Sequence, residues 1–210
     1  MSAPDSPAIG PALNALRAGL PVLVADAADR ENEVDAIFAA DRASAKWVAW
    51  VVRHSSGYLC APLPAARADA LELPLMVEQT QDSLRTAYAV SVDAAVGVTT
   101  GISAADRATT LRALANPDSK PGDLIRPGHV LPLRAVPGGV LARAGHTEAA
   151  VDLMRLAGTG DVGAIAELVH DCGEVMRYPE AAALAEREGL PLITIAELRA
   201  YRRSHERTVA

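Results

Sequence analysis

Short apolar runs alternate with amphipathic stretches along most of the chain. Apolar positions at helical spacing over residues 12–20 predict a first helix, and the run Pro21-Val22-Leu23-Val24-Ala25 predicts a buried strand. Residues 34–40 predict a second strand. Asp41-Arg42-Ala43-Ser44 offers N-cap residues before a helix over 45–53, and Gly57 breaks that helix ahead of a strand over 58–62. A helix is expected over 65–71, an alternating strand over 86–93, and a helix from Ser103-Ala104-Ala105-Asp106 through 114. Strands over 130–135, 163–170 and 192–195 interleave with helices over 148–157, 180–188 and 195–204. This alternation predicts a layered α/β domain around a largely buried sheet. No internal repeat or dividing linker is visible, so residues 1–210 are read as a single domain. The polar segments 78–85 and 117–128 are long enough to be functional loops.

Composition narrows the picture. The 210 residues are 50% hydrophobic with a net charge of −6, which suits one globular unit. Aromatics make up only 3% and no Lys/Arg-rich run occurs, which argues against a nucleic-acid partner. No apolar stretch approaches the roughly 18 residues that span a bilayer. The opening Met1-Ser2-Ala3-Pro4-Asp5-Ser6-Pro7 lacks a basic stretch followed by an apolar one, so no secretory leader is expected. Two cysteines, Cys60 and Cys172, make neither a disulfide framework nor a Cys-rich zinc site. The expectation is a soluble cytoplasmic protein.

Chemistry concentrates in a few places. Residues 26–35, Asp-Ala-Ala-Asp-Arg-Glu-Asn-Glu-Val-Asp, hold five carboxylates and one guanidinium directly after an apolar run. Such crowding is relieved by water on a surface loop or by a cation in a site. A hard divalent ion favours carboxylate oxygen. In Leu141-Ala142-Arg143-Ala144-Gly145-His146-Thr147-Glu148, Thr147 is a plausible N-cap. A helix N-terminus beside Arg143 makes a phosphate-binding corner, and His146 can bind a metal or move a proton there, unless this is an ordinary capped helix. Arg126-Pro127-Gly128-His129 reads as a turn presenting Arg126 and His129. Arg53-His54-Ser55-Ser56-Gly57-Tyr58-Leu59-Cys60 reads as a helix end and a buried strand cysteine. Gly97-Val98-Thr99-Thr100-Gly101-Ile102-Ser103 can donate to phosphate or simply turn and cap the next helix. Glu167, inside an apolar strand, needs a partner, a metal or a raised pKa.

Taken in order, Asp-Arg-Glu-Asn-Glu-x-Asp, Arg-His-Ser-Ser-Gly-x-x-Cys, Gly-Val-Thr-Thr-Gly-Ile-Ser-Ala-x-Asp-Arg, Arg-Pro-Gly-His-Val-x-Pro-Leu-Arg, Arg-x-Gly-His-Thr-Glu and the late strand Glu resemble the 3,4-dihydroxy-2-butanone 4-phosphate synthase family, over about residues 13–203. The resemblance implies a three-layer α/β/α fold with a mixed sheet. It also implies conversion of D-ribulose 5-phosphate to 3,4-dihydroxy-2-butanone 4-phosphate and formate for riboflavin biosynthesis. It further implies a need for Mg²⁺ or Mn²⁺ and a homodimer with sites at the subunit interface. Carried over by position, Glu31 and His146 are metal ligands. Arg30, Glu31, Asp35, Thr99, Thr100, Arg143, Gly145, His146, Thr147 and Glu167 are substrate-binding positions. Asp26, Glu33, Asp35, Cys60, His129 and Glu167 are tied to catalysis or to shaping the site.

The chain departs from the family pattern at Ala27 and Ala28, where two acids are usual, at Val34 and Ala144, where glycine is usual, and in the loop 79–85. These changes motivate two alternatives, a non-catalytic sugar-phosphate-binding paralogue and an enzyme acting on another phosphosugar. Some members of the family continue into a GTP cyclohydrolase II domain. This sequence has no cysteine after Cys172, so a single-function form or a piece of a longer protein is expected.

Overall fold

The computed structural model describes residues 8–209. The segment 1–7, read above for a leader, lies outside the described residues. The helices are α1 (Ile9–Arg17), α2 (Ala45–His54), α3 (Ala65–Ala70), α4 (Ala104–Ala115), α5 (His146–Ala157), α6 (Tyr178–Glu188) and α7 (Ile195–Val209). The strands are β1 (Val22–Ala25), β2 (Val34–Ala39), β3 (Cys60–Pro64), β4 (Val92–Ala94), β5 (Leu124–Ala135), β6 (Gly163–Glu167) and β7 (Leu192–Thr194). They form one sheet in the order β4-β5-β3-β6-β2-β1-β7. Pairs β3/β5 and β1/β7 are parallel and the other neighbours antiparallel, so the sheet is mixed.

Side-chain alternation along the strands divides the core in two. Leu23, Ala36, Phe38, Ala61, Leu63 and Ala164 pack with α2, α3, α4 and α6 on one face. Val22, Val24, Ile37, Ala39, Cys60, Leu133 and Ile165 pack with α1, α5 and α7 on the other. The expected three layers are present. Trp47 and Trp50, on α2, lie partly buried against the first core, and the Trp50 indole donates to Glu188 at 3.1 Å.

The same alternation positions the chemistry. In β2, Asp35 shares a face with Ile37 and Ala39; in β6, Glu167 shares that face with Ile165. Asp35 and Glu167 are opposite each other in register, and Cys60 is opposite Ile165. All three polar side chains therefore project towards the N-terminal end of α5.

Several boundaries differ from the sequence expectation, each for a tertiary reason. Residues 124–129 extend β5 rather than forming a loop and turn, because Asp93 and Ala94 of β4 pair with Ile125 and Leu124. The segment 86–91 makes single bridges, Tyr88 with Leu133 and Ala89 with Leu75, in place of the expected long strand. The strand expected over 163–170 ends at Glu167, beyond which Leu168 and Val169 pair with Ser55 and Val175. Glu167 thus stands at a strand end rather than within one. Helix α5 begins at His146, with Gly145 as its cap in extended geometry, so Thr147 is helical and is not the cap.

Candidate active site

The acidic loop is organised by its first residue. Asp26 is fully buried at the side chain, and its Oδ1 accepts the Glu33 N–H at 2.9 Å. Its Oδ2 accepts the Glu31 N–H at 2.9 Å and Arg30 Nη1 at 3.0 Å. A carboxylate that gathers donors from three later residues closes the chain into a rigid turn. Arg177 braces the outside, donating to the carbonyls of Glu31 and Asn32. The Glu31 side chain then faces inward, paired with Arg30 and 3.4 Å from His146 Nδ1.

His146 is buried at the first turn of α5, and its Nε2 lies 3.0 Å from the Val24 carbonyl. A carbonyl only accepts, so Nε2 carries the hydrogen and Nδ1 turns towards the carboxylates. Asp35 Oδ1 is 3.6 Å from that nitrogen and, although buried, has no hydrogen-bond partner among the described residues. Donor atoms of Asp26, Glu31 and His146 lie within 4.8 Å of one another. An imidazole fixed by a carbonyl through one nitrogen, with its other facing two carboxylates, one of them with an unpartnered oxygen, fits a divalent cation.

The electrostatics agree with that fit. Burial opposes charging of His146, but Asp35, Glu31 and Asp26 outweigh it and raise its pKa to about 9. Burial lifts Asp35 to about 8, with Glu167, Glu31 and Glu33 adding to the effect against His146. Glu33 is raised by burial and by the nearby Glu31 and Glu167. Glu31 is lowered, chiefly by its hydrogen bond to His146, with burial opposing and Arg30 helping. Protons occupy the position that an ion's charge would otherwise fill.

Around this centre a cavity of about 40 Å³ is lined by Arg30, Glu31, Glu33, Asp35, Cys60, Thr86, Tyr88, Arg143, His146, Thr147 and Glu167, among others. Cys60 is buried, and burial together with Glu167 and Asp35 drives its thiol well above the ordinary value. Ser56 Oγ donates to Glu167 at 3.1 Å. Arg143 donates through Nη1 to the buried Glu148 at 2.6 Å and through Nη2 to the Leu84 carbonyl at 3.1 Å. Gly145 lies close under the Arg143 guanidinium, with Arg30 and Glu148 beside it, so a side chain there would have to displace these groups.

The residues expected from sequence separate into two groups. Asp26, Arg30, Glu31, Glu33, Asp35, Cys60, Arg143, Gly145, His146, Thr147 and Glu167 gather at the cavity or in contact with its lining. Thr99, Thr100 and His129 do not line it. Thr99 Oγ1 donates to Asp106 at 2.7 Å, and His129 pairs with Asp93 at 2.7 Å. Thr86 and Tyr88 were not singled out from sequence, and Glu148, the last residue of the Arg-x-Gly-His-Thr-Glu motif, was given no role. Thr86 and Tyr88 sit two apart in the segment expected to alternate, the one signal that could have placed them on a common face.

The model of the 3,4-dihydroxy-2-butanone 4-phosphate synthase family matches residues 11–201. The chain is 57% identical to riboflavin biosynthesis protein RibBA of Salinispora arenicola over 192 residues, covering 91% of this chain and 46% of that protein. It therefore spans about half the length of the RibBA relatives it matches. It is 52% identical to the 3,4-dihydroxy-2-butanone 4-phosphate synthase of Pectobacterium carotovorum, covering 93% of this chain and 90% of the relative. A crystal structure of 3,4-dihydroxy-2-butanone 4-phosphate synthase in complex with two magnesium ions superposes with a TM-score of 0.92 at 46% identity, over 95% of this chain and 98% of the other.

Proposed function

The chain belongs to the 3,4-dihydroxy-2-butanone 4-phosphate synthase family, and from that premise we propose that it converts D-ribulose 5-phosphate to 3,4-dihydroxy-2-butanone 4-phosphate and formate in riboflavin biosynthesis. The observation that carries this reading is the approach of Glu31 and His146, two residues far apart in sequence, to 3.4 Å at the bottom of a cavity flanked by Arg30 and Arg143.

Glu31 and His146 would hold Mg²⁺ or Mn²⁺, with Asp26 completing the turn that presents Glu31. When bound, such a cation supplies positive charge to stabilise the enediolate that forms when a proton leaves the carbon next to the ketone. The protein's own groups do the rest. Arg143 and Thr147, at the N-terminal end of α5, hold the phosphate and so orient the reacting carbons. Asp35, buried 3.6 Å from His146 with one oxygen unpartnered among the described residues, is suited to pass a proton to or from the substrate. Glu33, whose pKa is raised by burial, lines the cavity and is placed to exchange protons with the substrate. Glu167, fixed by Ser56, contacts the substrate's hydroxyls.

We further propose a homodimer in which Thr99, Thr100 and His129 of one subunit complete the cavity of the other. These residues lie outside their own subunit's cavity. Near them in sequence, Val96 is 84%, Ile102 54% and Ile125 51% exposed, at the sheet edge formed by β4. Exposed apolar side chains beside a sheet edge favour burial against a partner. Residues 1–210 are read as one such domain, acting in the cytoplasm. No helix among the described residues is long and apolar enough to cross a membrane.

The test is incubation of purified protein with ribulose 5-phosphate and Mg²⁺, reading formate and the four-carbon product by mass. Formate release with the loss of one carbon is expected. A folded protein that yields no formate across metals and pH rejects the reading, and a different product would favour another phosphosugar reaction.

A further inference from the structure

Strands β4 and β5 pair with a break in register: Val92 is opposite Val130, but Asp93 is opposite Ile125. Residues 126–129 are thereby pushed out of the ladder as a bulge. The bulge is tightly held. The Gly128 N–H donates to Ser91 Oγ at 3.1 Å, and a side-chain carbon at Gly128 would collide with the backbone of Val92 and Asp93. The His129 N–H donates to Asp93 Oδ1 at 2.9 Å, and its ring Nδ1 lies 2.7 Å from Asp93 Oδ2. A second loop closes the far side. A side-chain carbon at Gly101, where φ is +93°, would strike both Asp93 Oδ2 and His129 Nδ1. That loop is fixed in turn by Asp106, which accepts from the Gly101 N–H at 3.1 Å and from Thr99.

We propose that Asp93 is a positioning residue for His129, setting its tautomer and supporting it as a proton acceptor. The inference rests on the reading above, in which His129 acts at the active site. An aspartate that merely held the bulge would need one oxygen, and Oδ1 on the backbone N–H serves that purpose. The second oxygen is spent on the ring, and the Gly101 loop lies so close to the pair that any side chain there would strike both. The Asp93 side chain is 10% exposed and the His129 side chain 40%. The carboxylate is therefore the buried end of the pair and the imidazole its outward end. An ionised carboxylate only accepts, so Nδ1 carries the hydrogen and Nε2 presents its lone pair outward. A substrate proton taken by Nε2 makes an imidazolium whose charge Asp93 offsets while remaining ionised. Nε2 later returns that proton to an oxygen of the substrate, and the pair ends as it began.

The experiment uses the full chain labelled with ¹⁵N at histidine. Long-range ¹H–¹⁵N correlation reads each ring's tautomer, and H129A assigns the His129 signals. The wild-type ring is expected to carry its hydrogen on Nδ1, a measurement that needs no Asp93 variant to fold. D93N offers an amide N–H to the ring and is expected to move the hydrogen to Nε2. It should also lower kcat on the order of a hundred-fold or more, with KM little changed. The D93N/H129A double variant should be no slower than H129A alone. A wild-type ring protonated on Nε2 overturns the proposal, as does unchanged turnover in D93N or losses that multiply in the double variant. Wild-type protein that releases no formate overturns the lyase reading instead, and the ring spectrum then decides the Asp93–His129 pairing by itself.

Discussion

His146 Nδ1 faces Glu31 Oε2 at 3.4 Å while its Nε2 is committed to the Val24 carbonyl, so one strand end fixes the ring that the neighbouring loop uses. The first prediction follows from that pairing. Glu31→Gln and His146→Ala should each lower formate release at least about 100-fold, because each removes a group that holds compensating charge where the enediolate forms. Each should also abolish the rise in melting temperature that Mg²⁺ gives the wild-type protein. Melting curves with and without Mg²⁺, beside formate assays, check both; a variant that keeps the Mg²⁺-induced rise and near-normal turnover would remove the residue from the metal site.

The metal-free protein should lose stability as pH rises through the range from about 6.5 to 9. His146 is raised to about 9 in the folded state against an ordinary 6.5, by Asp35, Glu31 and Asp26 acting against burial. In that window the folded chain holds a proton that the unfolded chain has released, so raising pH favours unfolding. Asp35, raised to about 8 by burial, contributes with the same sign from its ordinary 3.8 upward. An ion must displace these protons, so Mg²⁺ affinity and the Mg²⁺-induced rise in melting temperature should both grow with pH over the window. Thermal melts in chelator and in excess Mg²⁺, at several pH values, measure this directly. A Mg²⁺ increment that shrinks with pH would contradict it.

Much of this was legible in the sequence, and the exceptions have physical causes. Period-two alternation in Val34–Ala39 assigns Asp35 to the face of Ile37 and Ala39, and that face is where it stands. Motif order brought Glu31 and His146 together before any geometry was known. The bulge at 126–129 was not legible, because Pro-Gly marks a turn by local preference while pairing with β4 holds the segment in a strand. Thr147 looked like a cap, but the helix starts two residues earlier than that cap would set, capped by Gly145, which lies close under the Arg143 and Arg30 guanidinium groups. Asp93 carries no motif of its own, and Glu148, which ends the Arg-x-Gly-His-Thr-Glu motif, carries no role in it. Their importance lies in single contacts to His129 and Arg143, which only the fold creates.

Glu148 supports a third prediction. It is buried, and its two oxygens accept Arg143 Nη1 at 2.6 Å and the Val136 N–H at 3.0 Å. Glu148→Gln keeps the volume and one acceptor but turns an amide donor, uncharged, towards the guanidinium. Arg143 then loses both its counter-charge and its fixed direction. KM for ribulose 5-phosphate should rise about ten-fold or more, the scale of one charged hydrogen bond, with kcat less affected. Steady-state kinetics on a variant with a wild-type melting profile checks this, and an unchanged KM would separate Glu148 from phosphate binding.

The shared site makes the last prediction. If Glu31 acts in one subunit and His129 of the partner subunit reaches the same cavity, an E31A homodimer and an H129A homodimer are each inactive for different reasons. A mixed dimer has one cavity lacking both groups and one cavity lacking neither. Random reassortment of equal amounts places half of the subunits' pairings in mixed dimers, and one of the two cavities in each is intact. About one quarter of wild-type turnover should return. Unfolding and refolding the two variants together, with each refolded alone as control, tests it. Were both residues to act within one subunit, every cavity in the mixture would lack one of them, and mixing would restore nothing. The recovered fraction therefore decides whether His129 serves its own chain or its neighbour's.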